Sequence, residues 1–264
     1  MPTVEDNRTC WDDGYAWSDE GDEWSRWWGT PDRQWHWSLV PRIRAFVPTG
    51  TVLEIGPGFG RWTSYLRGLC DRLVVVDISE SCIEACRKRF AGDAHIAYHV
   101  NDGRSLSMVP DGSVDFVFSF DSLVHAEMDV LRAYLDQLPG KLAPDGVAFL
   151  HHSNAGSYRR HFALVSRATR LGLPVAKAPL LDACDQWRAH TVTAAAVRDH
   201  ATAAGLRCLS QELVNWGTRR LIDAFTVLAP EGSRWPARAD LVRNRDFMRE
   251  ARYVRTVGRL YDRR

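Results

Sequence analysis

Residues 51–62 read TVLEIGPGFGRW: a strand-forming run, glycine at three alternate positions, then the helix-forming stretch RWTSYLRGLC. Few folds accept that order. A strand, a bare turn and a helix in succession bring backbone against a ligand at the carboxyl edge of a parallel sheet. Thr51, Val52, Leu53 and Ile55 form the strand around one acid, Glu54. Gly56, Gly58 and Gly60 fit the turn because a side chain would block close approach and resist positive φ. The dinucleotide fingerprint is G-x-G-x-x-G. Here the register is G-x-G-x-G, followed by Arg61 and Trp62.

The residues downstream agree with a ligand-binding α/β sheet. The next apolar run, LVVVD, ends in Asp77, roughly 20 residues past the loop, where an acid binds ribose hydroxyls. SESCIEACRKRF follows as a helix with Ser79 as its N-cap. A third strand, HIAYHV (95–100), leads into Asn101-Asp102-Gly103. A fourth, VDFVFSF (114–120), ends at Asp121-Ser122, and KLAPDGVAFL (141–150) places a Pro144-Asp145-Gly146 turn before the fifth.

In this order and spacing, residues 50–155 resemble the class I S-adenosylmethionine (SAM) dependent methyltransferases, whose first motif is acid-x-G-x-G-x-G. The resemblance implies an α/β fold: a Rossmann-like, doubly wound, seven-stranded, mainly parallel sheet with an antiparallel last strand. It implies SAM as cofactor and S-adenosylhomocysteine (SAH) as product. Glu54, Gly56, Pro57, Gly58, Gly60 and Trp62 would form the cofactor loop, Asp77 and Ile78 the ribose site. Asn101, Asp102 and Gly103 would hold the adenine, with Phe120 and Asp121 at the fourth strand end.

Three segments are expected in the 264 residues. Residues 1–46 hold seven of the 11 tryptophans (Trp11, Trp17, Trp24, Trp27, Trp28, Trp35, Trp37), with Trp62 just beyond. They read either as a helical packing layer anchored by indoles or as a lid over the cofactor mouth. Residues 47–230 form the SAM-binding core, with a substrate cover at about 155–190 that includes the basic helix SYRRHFALVSRATRLGL and the connection through Pro174 and Pro179. Residues 231–264 read as a basic amphipathic helix that packs on the body or across a homodimer.

Net charge is +1, so no global field draws the chain to nucleic acid or membrane. No apolar run approaches the roughly 20 residues of a membrane span, and no leader is visible, so a cytoplasmic location is expected. The six cysteines, including Cys184, show no C-x-x-C and read as reduced, packed thiols.

Methyl transfer to an oxygen needs a base at the ends of strands four and five. Two clusters lie there: Asp121, Ser122, His125 and Glu127, then His151, His152, Ser153 and Asn154. His125 and His152 are the expected bases, with Asp121 orienting one of them. Trp28, Trp35, His151, Asn154, Tyr158 and Arg159 are expected to touch the acceptor. Without tight ligand spacing, no metal is expected. The favoured reaction is O-methylation of a sugar or glycosylated natural product. N-methylation of an aminosugar or small amine, or SAM binding without turnover, are the alternatives.

Overall fold

The structure, a computed structural model of the chain, describes residues 3–171, 186–236, 238 and 240–262. At its centre is a sheet of eight strands: β1 Thr49–Ile55, β2 Cys70–Asp77, β3 Ile96–Val100, β4 Val114–Ser119, β5 Leu142–Ser153, β6 Leu206–Val214, β7 Asp223–Pro230 and β8 Asp240–Asn244. Their spatial order is β3-β2-β1-β4-β5-β7-β6-β8. The first five run parallel, and β7 enters antiparallel between β5 and β6.

The sheet thus has eight strands, not the expected seven. The extra one comes from the tail, where β8 pairs parallel with β6 before the helix Phe247–Tyr261 begins. Leu241 therefore sits on an exposed edge strand and not on the helix. Five largely exposed residues carry no alternation from which a strand is readable. The reversed strand is the seventh, yet it lies inside the sheet, bonded on both sides. Pro144-Asp145-Gly146 makes no separate turn. These residues lie within β5, where Leu142 pairs with Val114 and Val147 with Phe116, so the residues between bulge out.

Alternation along the strands sends side chains into two cores. Val52, Phe116, Phe118 and Phe149 belong to one; Leu53, Val117, Ala148 and Leu150 belong to the other. The first core is covered by Trp28, Trp35, Leu39 and Ile43 from the N-terminal segment and by Phe247, Met248 and Ala251. The second is covered by helix Met128–Lys141 and helix Ala194–Ala203. Trp28 is fully buried, its Nε1–H donating to Ser38 Oγ at 2.7 Å. Trp35 stacks on Tyr65 with centroids 4.8 Å apart. Each such burial contributes about 1.5–3 kcal/mol.

Helix Glu80–Arg89 starts where Ser79 Oγ accepts from the Cys82 N–H at 3.0 Å, a cap that contributes about 1 kcal/mol. Helix Ala194–Ala203 ends at Gly205, whose φ is +92°. The basic helix of the expected cover spans Arg159–Arg170. Pro174, Pro179 and Cys184 lie outside the described residues. No helix among the described residues is long and apolar enough to cross a membrane.

Candidate active site

A cavity of about 990 Å³ opens at the carboxyl ends of β1, β2 and β4. Gly56, Pro57, Gly58, Trp62, Asp77 and Ile78 line it, as do Asp102, Gly103, Phe120, Asp121 and His125. Most of the expected cofactor residues therefore meet in one place.

The loop glycines do different jobs. A Cβ on Gly58 (φ +57°) would lie 2.9 Å from the Trp17 ring, so its bare backbone faces the cavity and the N-terminal segment. A Cβ on Gly60 would strike Phe90 at 2.5 Å. Gly60 thus makes room for helix packing and lies off the cavity wall. Glu54 is also off the wall, buried, accepting from Thr63 Oγ1 at 2.6 Å. Burial pushes its pKa up to about 8.

Asp77 ends β2 with Oδ1 accepting from Ser79 N–H at 2.9 Å and Oδ2 from Gly58 N–H at 3.4 Å. Burial raises its pKa to about 6, against those backbone bonds. It remains mostly ionised at pH 7, with lone pairs left for two hydroxyls. Asp102 Oδ1 accepts from the N–H groups of Ser105 (2.7 Å) and Arg104 (2.9 Å), which lower its pKa. Asn101 is off the wall and shapes this turn, donating to Tyr134 Oη at 3.0 Å and accepting from Gly103 N–H at 2.9 Å.

The histidines divide sharply. His125 lines the cavity; its Nδ1–H donates to the Trp187 carbonyl at 2.9 Å. That leaves a lone pair on Nε2, which has no hydrogen bond among the described residues. Burial, helped by Arg188, lowers its pKa to about 4. His152 was the other expected base, but it lies off the cavity wall, fully buried. Its Nδ1–H bonds the Ser153 carbonyl at 2.8 Å and its Nε2 accepts from Thr226 Oγ1 at 2.7 Å. Both ring nitrogens are used, and burial holds its pKa near 4.

His151 is equally buried. It accepts from the Asp121 backbone N–H (3.1 Å) and donates to Asp223 Oδ2 (3.2 Å). Asp223 in turn makes a two-pronged pair with Arg188 at 2.8 Å on both oxygens. Burial raises the Asp223 pKa, but Arg188 and His151 outweigh it and hold it at about 2. Arg188 also lies 3.7 Å from Asp121, and Arg61 pairs with Asp121 at 3.1 Å. Asp121, His151, Asp223 and Arg188 close a buried ring of charge and hydrogen bonds, joined by Arg61 through Asp121, and Arg61 and Asp121 face the cavity.

The expected acceptor residues do not gather. Trp28 and Trp35 are core anchors. Asn154 is spent on backbone, donating to the Leu221 carbonyl and accepting from Ala194 N–H. The Tyr158 hydroxyl accepts from Leu221 N–H. Arg159 is exposed on the surface helix. From residues 1–46 the indoles that line the cavity are Trp11, Trp17 and Trp24, beside Trp62 of the glycine loop. Asp12 accepts from the hydroxyls of Ser79 and Ser81 beside Asp77, fastening this stretch to the start of helix Glu80–Arg89. Val4 covers Gly103, 2.9 Å from where a Cβ would stand. Packing layer and cavity wall are thus both present in residues 1–46, in different stretches. Arg61, which no sequence argument selected, had one signal: it directly follows the third glycine.

Residues 52–146 match the family model of a methyltransferase domain. With the glycine loop, Asp77 and Asp102 around one cavity, this makes the matched core a class I SAM-dependent methyltransferase domain. The chain is 29% identical over 120 residues to nodulation protein S of Rhizobium tropici, covering 45% of this chain and 50% of that protein. It is 32% identical over 100 residues to methyltransferase nsrG of Aspergillus novofumigatus, covering 37% and 38%. The chain spans half or less of the length of these relatives. It shares its fold with N-methyltransferase NodS from Bradyrhizobium japonicum WM9, solved in complex with SAH, at a TM-score of 0.54 and 19% identity over 86% of this chain and 96% of that one. The class uses SAM, and the cavity suits it. Ionised Asp77 has acceptors for a diol, Gly58 offers bare backbone, and the buried Trp62 Nε1–H has no partner among the described residues.

Proposed function

We propose that the chain transfers a methyl group from SAM to a hydroxyl of a small polar acceptor, a sugar or glycosylated natural product, with His125 as base. One observation carries this reading: Asp77 and His125 line the same cavity, and of the histidines after β4 and in β5 only His125 keeps an unused ring nitrogen there. When bound, the cofactor supplies an electrophilic methyl group on a sulfonium, so the protein's task is to align and desolvate. Asp77 holds the ribose hydroxyls and Asp102 the adenine amino group. Trp11, Trp17 and Trp24 offer apolar faces to a sugar ring, and residues 3–24 serve as a lid latched by Asp12.

His125 stays neutral throughout the physiological range. A base that weak does not strip a hydroxyl in advance. It takes the proton late, once the oxygen has gained its third bond and become strongly acidic. The carbon–oxygen bond forms, the carbon–sulfur electron pair passes to sulfur, and the proton moves to Nε2.

A second reading, N-methylation of a small amine, is favoured by the likeness to the NodS N-methyltransferase. A neutral amine requires no base, so turnover of sugar and amine panels in wild type and His125→Ala separates the two. Cofactor binding is tested directly. Asp77→Ala should weaken SAH by about 1.5–3 kcal/mol, as for hydrogen bonds to a charged group. Unchanged affinity by calorimetry would reject Asp77 as the ribose ligand.

A further inference from the structure

Two acceptor atoms near His125 are buried and unfilled. Asn7, on the short helix Val4–Thr9, is 8% exposed and lines the cavity. Its Nδ2–H donates to the His125 carbonyl at 3.1 Å. That bond fixes the amide's orientation, because only its nitrogen end can donate to a carbonyl oxygen. Asn7 Oδ1 is then buried with no partner among the described residues. Glu127 lines the same cavity, two residues after His125. Its Oε2 accepts from the Thr191 hydroxyl and backbone N–H. Its Oε1 is buried and likewise has no partner among the described residues. A buried acceptor left unfilled costs about 1–3 kcal/mol, so the wall is completed by a ligand that brings donors.

Charge sets the kind of donor. The one hydrogen-bond partner of Glu127 among the described residues, Thr191, is neutral. Nearby cations are already engaged or solvated: Arg61 pairs with Asp121, Arg104 pairs with Asp129, and Arg132 is exposed. Six carboxylates line the cavity against three guanidinium groups, and a bound SAM cation offsets only part of that excess. An anionic acceptor is disfavoured. A half-buried carboxylate with a free oxygen and no counter-ion takes an ammonium in preference to a neutral hydroxyl, because a charge-assisted bond is about twice as strong.

We propose that Glu127 holds a protonated amine of the acceptor, and Asn7 a further N–H or O–H of the same molecule, while His125 faces the hydroxyl that is methylated. The substrate class is then the small amino alcohols, aminosugars among them. The inference rests on SAM-dependent O-methylation in this cavity. Glu127 is the specificity-determining residue. The ammonium it holds has no lone pair to accept a methyl group, so recognition at nitrogen directs transfer to oxygen.

The test measures SAH release by the whole chain with SAM and a panel of aminosugars and amino alcohols, D-glucosamine and 2-aminocyclohexanol among them. Each is assayed beside its parent polyol and its N-acetyl form. An amine-bearing member should exceed both controls in kcat/KM by about 10-fold or more, with the new methyl on oxygen by NMR. Glu127→Gln keeps an oxygen for Thr191 and removes only the charge. It should raise KM for that acceptor about 10- to 100-fold, with kcat within about threefold and SAH affinity within about twofold of wild type. A merely structural role would instead lower kcat, SAH affinity and melting temperature together. If Glu127→Gln does not fold, Asn7→Ala decides, with KM raised about 3- to 10-fold. Equal or better turnover of the polyol or N-acetyl controls, an unchanged KM, or no turnover of any amine-bearing member by protein that binds SAH overturns the assignment. A methyl group on nitrogen overturns the hydroxyl reading together with it, and wild-type protein that binds no SAH overturns the cofactor reading instead.

Discussion

The ends of β4 and β5 carry the same kinds of residue, an acid or amide with one or two histidines, and the structure uses them in opposite ways. After β4 the chain leaves the sheet, and His125 reaches the cavity wall with one nitrogen occupied and one spare. At β5 the strand continues in register with β7 through Ser153. His151 and His152 therefore stay inside the sheet, one on each face, with every ring nitrogen bonded. A histidine is available for chemistry according to what its second nitrogen already does, and pairing by a neighbouring strand is enough to remove it.

The largest expected effect breaks this comparison if it fails. His125→Ala should lower turnover by about 10²–10⁴-fold with SAH affinity unchanged. His152→Ala should leave the kcat of the surviving folded protein near wild type and lower its melting temperature. Steady-state kinetics beside thermal unfolding checks both, and the reverse pattern would move the base to β5.

Next comes the buried ring that Asp223 closes. Asp223→Ala strands Arg188 in the interior and should cost about 3–5 kcal/mol of stability, read from denaturant midpoints. A loss under 1 kcal/mol would mean that water already reaches the ring.

The smallest effect sharpens the contrast between buried groups that stay neutral. Glu54 has a folded pKa near 8 against 4.5 unfolded, so its folded form holds the extra proton and stability falls as pH rises through that window. His125 and His152, lowered from 6.5 to about 4, act oppositely between those values, and Asp77, raised to about 6, acts in the same direction as Glu54 until it has titrated above about pH 7. Between about pH 7 and 8 Glu54 dominates. Melting temperature should fall modestly across that range in wild type and stay flat in Glu54→Gln.

The cofactor half of the site was legible because backbone builds it. Three glycines, an acid at each of two strand ends and the spacing between them leave one geometry, and Gly56, Gly58, Asp77 and Asp102 all line the cavity. The rest of the cavity wall is built by side chains from distant segments, where sequence gives direction but not reach. Tryptophan density before residue 38 marked a segment that reaches the cavity, yet Trp28 and Trp35 went to the core while Trp11, Trp17 and Trp24 went to the wall. No local pattern separates them, because the distinction is set by which stretch lies over the sheet and which lies over its edge. The network of Arg61, Asp121, His151, Arg188 and Asp223 was invisible for the same reason. It joins five positions from five separate stretches; Asp121 and His151 were candidates and Arg61 followed a motif, but nothing in the sequence joins them to Arg188 and Asp223.

The reversed β7 has a consequence during synthesis. β5 emerges with one edge promised to a strand more than 60 residues further on, and β6 and β8 cannot join the sheet until β7 has bridged them. At about 5–20 residues per second, the open edge of β5, with Ala148, Phe149 and Leu150 along it, waits several seconds on the ribosome. An unpaired apolar edge of that kind invites pairing with other nascent chains. Crowded polysomes and fast, strong expression should therefore favour inclusion bodies, whereas slower translation at lower temperature should favour the native sheet.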